Sequence, residues 1–286
     1  MSNRIAESEL LINTDGRIYH LGLRPGDVAD KIITVGDPDR VEKISKHFDR
    51  IVLKQRHREY VTHTGIFQGK ELSVMSTGMG TDNVEIFLNE LDALFNVDFN
   101  TRKPKERFLK LEIVRVGTSG SLQEEIPVDG LLASTSALGL DTLMNFYSFP
   151  QLAGEQAFAS MVMEKLGLGF TPYLAHASPE LLHRLGSSLL SGITVTCPGF
   201  FAPQGRQVRL EPRLPLLLDQ LSSMSFDGKK MTNFEMETAG YYSLGKLLGH
   251  EVLSLNVLVV NRKKGNFSEN PDLAMDKLIQ HVLEKI

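Results

Sequence analysis

The sequence of 286 residues is 42% hydrophobic and 23% charged with a formal net charge of −4, a globular composition that excludes a disordered or fibrous chain. No basic patch or tail runs along it, which argues against a protein built to bind nucleic acid or a membrane surface non-specifically. The single cysteine, Cys197, excludes an intrachain disulfide and a cysteine-rich zinc site and fits a reducing cytoplasm.

The first residues, MSNRIAESELLINTDGR, have neither a signal-peptide core nor a small-residue cleavage site, so residues 1–16 are expected to stay on as an N-terminal extension. Lys31 to Val35 is an apolar run stopped by Gly36-Asp37-Pro38, and Leu72 to Met75 runs into Ser76-Thr77-Gly78-Met79-Gly80; both predict strands ending in tight turns. Leu88, Leu91, Leu94 and Phe95 then recur at helical spacing. The polar stretch Asp98 to Arg107 reads as an exposed loop. Leu109 to Val116 predicts a strand leading into Gly117-Thr118-Ser119-Gly120, and Gly130 to Ala137 predicts another.

Phe158, Met161, Val162 and Leu166 line a predicted helix face. Ser178-Pro179 opens a helix with an N-cap and a proline at its first position, backed by Leu181, Leu182 and Leu185. Ile193 to Thr196 predicts a strand, Phe234 to Leu248 a helix, Leu253 to Val260 a buried strand, and Asn270-Pro271 the cap of a final helix through Leu278, Val282 and Ile286. The longest apolar run, Val252 to Val260, is about half of the ~18 residues that a membrane span needs. Buried strands alternating with amphipathic helices predict an α/β fold, and with no repeat or Gly/Ser linker residues 17–286 are expected to form a single domain.

Common catalytic signatures are incomplete. Gly78-Met79-Gly80 lacks the third glycine of a dinucleotide fingerprint, no Walker sequence occurs, and the position two after Ser119 is Ser121 rather than the glycine of a nucleophile elbow. The eight histidines form no zinc-helix pattern; His57 and His63, six apart, lie in a stretch that reads as strand. What remains is a set of strand-end segments: Gly36-Asp37-Pro38-Asp39-Arg40, Arg115-Val116-Gly117-Thr118, Gln204-Gly205-Arg206, Glu235-Met236-Glu237 and Asn261-Arg262. Ligands in open α/β sheets bind beyond the carboxyl ends of the strands, where most of these residues fall. Taken singly, each has an ordinary structural explanation: a strand-end arginine is commonly solvated or paired, and Glu-x-Glu at a helix start complements the dipole. Arg115 is the exception, because a charge inside LEIVRVGTSG needs a buried partner or an anionic ligand.

YHLGL, VGDPDRVEKI, RHREY, STGMG, RVGTSGSL, the Gln204-Gly205-Arg206 segment, NFEMET and VVNR, in that order from about Tyr19 to the C-terminus, resemble nucleoside phosphorylases of the uridine phosphorylase type. The resemblance implies a three-layer α/β fold with a mixed, twisted central sheet flanked by helices, and a homodimer as the minimal active unit, often assembled into a hexamer. It implies a phosphate pocket of Gly36, Arg40, Arg115 and Thr118, with Arg58 reaching in from the neighbouring subunit. A desolvated phosphate dianion calls for several such charge-assisted donors. Met236 and Glu237 would hold the ribose, His20 from the partner subunit would approach its 5′-hydroxyl, and Glu235 would stand behind them. Gln204 and Arg206 would read the uracil edge with Arg262 in support, and Phe201, or alternatively Phe200, would stack on the ring.

The implied reaction is reversible phosphorolysis of uridine to uracil and ribose 1-phosphate, in nucleoside salvage. The sugar gains oxocarbenium character while Arg206, Gln204 and Arg262 stabilise the departing base and Arg115 and its neighbours hold the phosphate. Inorganic phosphate is a co-substrate and no organic cofactor is called for. Purine-cleaving relatives carry an aspartate after the last strand, where this sequence reads Val260-Asn261-Arg262, and the related nucleosidases lack the phosphate arginines retained here as Arg40, Arg58 and Arg115. The sequence departs from the family in a base-reading segment one residue short, PQGR, and in Asn83, where many relatives place a serine that helps bind a monovalent cation. With Glu59 retained, that leaves room for potassium near Glu59. A broader nucleoside phosphorylase and a non-catalytic nucleoside-binding homologue stay open as alternatives.

Overall fold

The computed structural model describes residues 4–286, so Met1, Ser2 and Asn3 of the expected extension lie outside the described residues. The chain forms two compact units, one of Met1–Val114 with Leu248–Glu251 and one of Arg115–Leu247 with Val252–Ile286. Among the described residues no helix is long and apolar enough to cross a membrane.

The first unit contains β1 (Lys31–Val35), α1 (Asp39–Ser45), β2 (Arg50–His57), β3 (Tyr60–Phe67), β4 (Lys70–Ser76) and α2 (Thr81–Asn96), followed by the small hairpin β5 (Val97–Asp98) and β6 (Lys103–Pro104). β1 and β4 pair in parallel, and β4, β3 and β2 continue antiparallel. The expected strands at Lys31 and Leu72 are therefore present, and both end in turns. Along α2 the stripe Val84, Phe87, Leu88, Leu91 and Leu94 is buried. Each large aliphatic or aromatic side chain so covered contributes about 1.5–3 kcal/mol. β2 alternates half-buried and exposed positions, as suits a strand whose charged residues face solvent.

The division falls within β7 (Glu112–Ser121). The second unit continues with β8 (Leu131–Gly139), α3 (Ala153–Leu166), β9 (Tyr173–His176), α4 (Pro179–Leu181), β10 (Leu190–Thr196), α5 (Leu217–Ser222), β11 (Ser225–Phe226), β12 (Lys229–Glu235), α6 (Thr238–Leu248), β13 (Glu251–Asn261), β14 (Asn266–Phe267) and α7 (Pro271–Lys285). β8, β10 and β12 run parallel, β13 and β9 lie antiparallel to β8, and the end of β7 pairs antiparallel with β12, giving a mixed sheet. One core packs Leu138, Val195, Cys197 and Phe234 of the strands and their ends against Phe158, Val162 and Leu166 of α3 and Leu221 of α5.

Several sequence expectations need correction. Phe234 and Glu235 do not begin a helix: they end β12, in register with Val195 and Thr196, and the helix starts at Thr238. Polar Thr232 and Asn233 hide this strand from hydropathy, yet both are buried and bonded, Thr232 Oγ1 donating to the Ile193 carbonyl at 3.1 Å and Thr194 Oγ1 to Asn233 Oδ1 at 2.9 Å. β7 does not stop before Gly117; pairing of Gly120 and Ser121 with Phe234 and Asn233 carries it to Ser121. Met161 faces outward on α3, off the buried stripe. The helix opened by Ser178 is a single α turn, Oγ accepting from Leu181 N–H at 3.2 Å, followed by a wide turn over Leu182–Gly186.

The stretch Asp98 to Arg107 is not a free loop, because Arg102 within it is buried. Its Nε donates to the Ile5 carbonyl at 3.0 Å, its Nη2 to the Ala6 carbonyl at 3.1 Å and to the Leu10 carbonyl, while Ile5 N–H donates to the Arg102 carbonyl at 2.8 Å. The extension and the insert thus clasp each other within the first unit. Arg102→Ala is expected to cost about 1–3 kcal/mol locally and to speed amide exchange over residues 4–12 while leaving β3 and β4 protected, as read by hydrogen-exchange mass spectrometry.

Candidate active site

In the first unit the turns after parallel β1 and β4 lie side by side. Thr77 N–H donates to the Val35 carbonyl at 2.9 Å, and a Cβ on Gly36 would stand 3.3 Å from the Gly78 carbonyl oxygen, so a side chain there would press on the neighbouring turn. The turn into α1 is closed by Asp37, whose Oδ1 accepts from Asp39 N–H at 3.0 Å and whose carbonyl accepts from Arg40 N–H at 3.1 Å. Arg40 is half-buried beside this turn.

Arg58 occupies the tip between β2 and β3 with φ 56°, a left-handed conformation that costs an arginine of order 1 kcal/mol. Its exposed guanidinium lies 5.1 Å from the centre of the Tyr19 ring, which meets the His20 ring edge-on at 4.8 Å. His20 Nδ1 is 2.6 Å from Glu90 Oε1, and His57 donates from Nδ1 to the His20 carbonyl at 2.8 Å. Arg58 and His20, the two residues expected to serve a neighbouring subunit, are therefore joined through Tyr19 on one patch.

Beside Glu59 the side-chain amide of Asn83 is engaged within the turn that follows β4. Asn83 Nδ2 donates to the Met79 carbonyl at 3.3 Å, and a Cβ on Gly78 would lie 2.6 Å from Nδ2 and 3.3 Å from Glu59 Cγ. Turning the amide would set Oδ1 against the carbonyl oxygen. No cluster of three or more His, Cys, Asp or Glu suited to a metal occurs among the described residues.

In the second unit Arg115 is buried in β7 and has a partner. Its Nη2 donates to Glu237 Oε2 at 2.5 Å with Glu235 Oε2 at 3.3 Å, and its Nη1 donates to Asn256 Oδ1 at 3.0 Å and Ser254 Oγ at 3.3 Å. Burial alone would lower its pKa, but Glu237 and then Glu235 overcome this and raise it. The guanidinium folds back over Gly117, where a Cβ would lie 2.1 Å from Nη1. Glu235 also organises the start of α6: Oε2 accepts from the N–H groups of Glu237 and Thr238 at 2.9 and 2.8 Å, and Oε1 from Thr196 Oγ1 at 2.5 Å. Met236 between the two carboxylates is half-buried, and Thr118 is exposed on β7.

Beyond β10, Gln204 is buried and binds both remaining arginines. Arg206 Nη1 donates to Gln204 Oε1 and to the Phe200 carbonyl, each at 2.6 Å, while Arg262 Nη1 donates to the Gln204 carbonyl at 2.8 Å and Nη2 to the Gly205 carbonyl at 3.3 Å. Gly205 adopts φ 67°, the left-handed turn that brings these carbonyls around. Among the described residues the bonds of both guanidiniums go to amide oxygens rather than to carboxylates. Burial and the charge of Arg262 lower the Arg206 pKa to about 10, and burial lowers that of Arg262. Phe200, not Phe201, lies under the Arg206 guanidinium at 3.7 Å, and both rings are exposed.

Sequence reasoning missed the residues that hold this constellation in place. Ser254 and Asn256 were legible in principle as two polar residues, two apart, inside the apolar run of β13, and so on the face that meets Arg115. Asn261 aims Arg262: its Nδ2 donates to the carbonyls of Gln123 and Ile126 at 3.0 and 2.7 Å, and its Oδ1 accepts from the N–H groups of Lys263 and Lys264 at 3.0 and 2.9 Å.

Comparison with known proteins is consistent with this geometry. A Trypanosoma brucei nucleoside phosphorylase whose crystal structure was described as showing uridine phosphorylase activity superposes with a TM-score of 0.89 at 31% identity, over 96% of this chain and 98% of that one. A uridine phosphorylase of Thermococcus kodakarensis is 29% identical over 94% of this chain and 86% of its own length. A DeoD-type purine nucleoside phosphorylase of Streptococcus suis is 26% identical over 93% of this chain and 98% of its own. A Phytophthora capsici uridine phosphorylase, at 20% identity and a TM-score of 0.70, shares the fold. The family model of the Phosphorylase superfamily matches residues 30–284, running through both units, and the chain belongs to that superfamily.

Proposed function

We propose that this chain is a uridine phosphorylase, converting uridine and phosphate reversibly to uracil and ribose 1-phosphate. The observation that carries the reading is the pair Arg206 and Arg262, which share one half-buried cradle with the buried Gln204 and, among the described residues, have no carboxylate bonding partner. Burial and the charge of Arg262 lower the Arg206 pKa, burial lowers that of Arg262, and an anion placed there relieves both. Uracil departing from C1′ is such an anion. Gln204 and Arg206 supply the mixed acceptor and donor edge that a uracil amide requires, with a phenylalanine of the Phe200–Phe201 pair available to stack.

The remaining roles follow the same proposal. Gly36, Arg40, Arg58, Arg115 and Thr118 are assigned to phosphate on the family resemblance, and Met236 and Glu237 to ribose. Arg115, bonded to Glu237, ties the group assigned to phosphate to the group assigned to sugar. As the glycosidic bond breaks, phosphate stabilises the developing cation at C1′ and bonds to it, while the electron pair leaves with uracil into the Arg206–Arg262 cradle. Catalysis is by position and fixed charge, with no covalent enzyme intermediate. A purine reading is disfavoured because Asn261, at the place expected of the purine-protonating acid, is already bonded through both side-chain ends. We assign the active form to a homodimer or larger homo-oligomer in the cytoplasm.

Uracil release from uridine is expected only when phosphate is present. Equal release without phosphate would reject phosphorolysis, and faster turnover of inosine than of uridine would reject the pyrimidine assignment. Arg206→Ala is expected to lower kcat about 10²–10³-fold, less for 5-fluorouridine, whose base is a better leaving anion, in steady-state assays. Arg115→Ala leaves Glu235 and Glu237 buried against each other and is expected to lower stability by about 3–5 kcal/mol in denaturant titration, well beyond the effect of Arg206→Ala.

A further inference from the structure

Among the described residues, His20 is held through every polar atom but Nε2. Its N–H lies 3.1 and 3.0 Å from the two oxygens of Glu90, its Nδ1 is 2.6 Å from Glu90 Oε1, and its carbonyl accepts from His57 Nδ1 at 2.8 Å. Glu90 cannot swing away, because Oε2 also accepts from Leu21 N–H at 2.9 Å and its backbone belongs to the sixteen-residue α2. Gly22, at φ 65°, admits His57: a Cβ there would lie 2.9 Å from His57 Cβ. The Tyr19 ring, edge-on at 4.8 Å, restricts the imidazole plane.

A carboxylate only accepts, so the hydrogen of a neutral His20 ring sits on Nδ1 and Nε2 is left as an acceptor. We propose that Glu90 is a positioning residue that locks His20 in this tautomer so that Nε2 accepts the hydrogen bond of the nucleoside's ribose 5′-hydroxyl, an inference that rests on the uridine phosphorylase reading. Glu90 itself touches no substrate. Its carboxylate sets which way the hydroxyl points, and the backbone bonds to His20 and Leu21 keep the ring at one depth.

Long-range ¹H–¹⁵N correlation spectra read the tautomer directly, with the His20 signal identified by its loss in His20→Gln. In wild-type protein, above the pH at which the ring is neutral, His20 is expected to show a protonated Nδ1 and a bare Nε2. Glu90→Gln, whose amide can donate to Nδ1, is expected to move hydrogen to Nε2, to raise KM for uridine roughly tenfold and to leave KM for 5′-deoxyuridine and kcat within about twofold. Hydrogen on Nε2 in the wild type would overturn the proposal without need of a variant. So would an equal rise in KM for both nucleosides, which marks a merely structural loss. Absence of phosphate-dependent uracil release by the wild type would overturn the underlying reading instead, and the wild-type spectrum separates the two failures.

Discussion

Burying the guanidinium of Arg115 is the constraint around which the second unit is organised. A cation removed from water is tolerable only with its charge matched and its N–H groups bonded, and the chain answers from three places. β12 and the start of α6 supply Glu235 and Glu237, β13 supplies Ser254 and Asn256, and Gly117 leaves room for the side chain to fold back along its own strand. Glu235 is shared further, between Arg115, Thr196 and the first N–H groups of α6, so one carboxylate joins a buried charge to the placement of a helix. The geometry proposed for ribose and phosphate thus comes from interactions that also hold strands β7, β12 and β13 together.

The two arginine clusters of this unit illustrate opposite electrostatic designs. Arg115 faces two carboxylates and its charge is fixed more firmly than in water. Arg206 and Arg262 face carbonyl and amide oxygens, and burial with mutual repulsion eases the first toward about 10. The first arrangement stores order and the second stores unmet positive potential. A net charge of −4 over the chain conceals the latter completely, because the excess belongs to a small cradle and not to a surface.

Much of this was legible in the sequence where local chemistry is strong. Apolar runs stopped by glycine and proline located β1 and β4, Asn270-Pro271 located the start of α7, and an arginine inside an apolar strand announced that a partner had to exist. β12 was not legible, because its Thr232 and Asn233 are buried by virtue of bonds to neighbouring strands that hydropathy does not register. The partner of Arg115 was open between a side chain and a ligand, since sequence carries no distances. The donor role of Asn83 and the anchoring role of Glu90 were hidden for the same reason: both depend on the geometry that only the fold supplies.

The clasp made by Arg102 has a consequence for how the first unit can be cut. Its guanidinium is satisfied by carbonyls of Ile5, Ala6 and Leu10, so removal of the leading segment would strand a buried cation, and removal of the insert would leave those carbonyls without their donor. Two stretches nearly a hundred positions apart therefore behave as one removable part. The strand-like bridge between Ile12 and Ile18 carries the same segment toward Tyr19 and His20. A shortened form that starts near residue 17 would loosen, from a distance, the side chain that Glu90 holds in place.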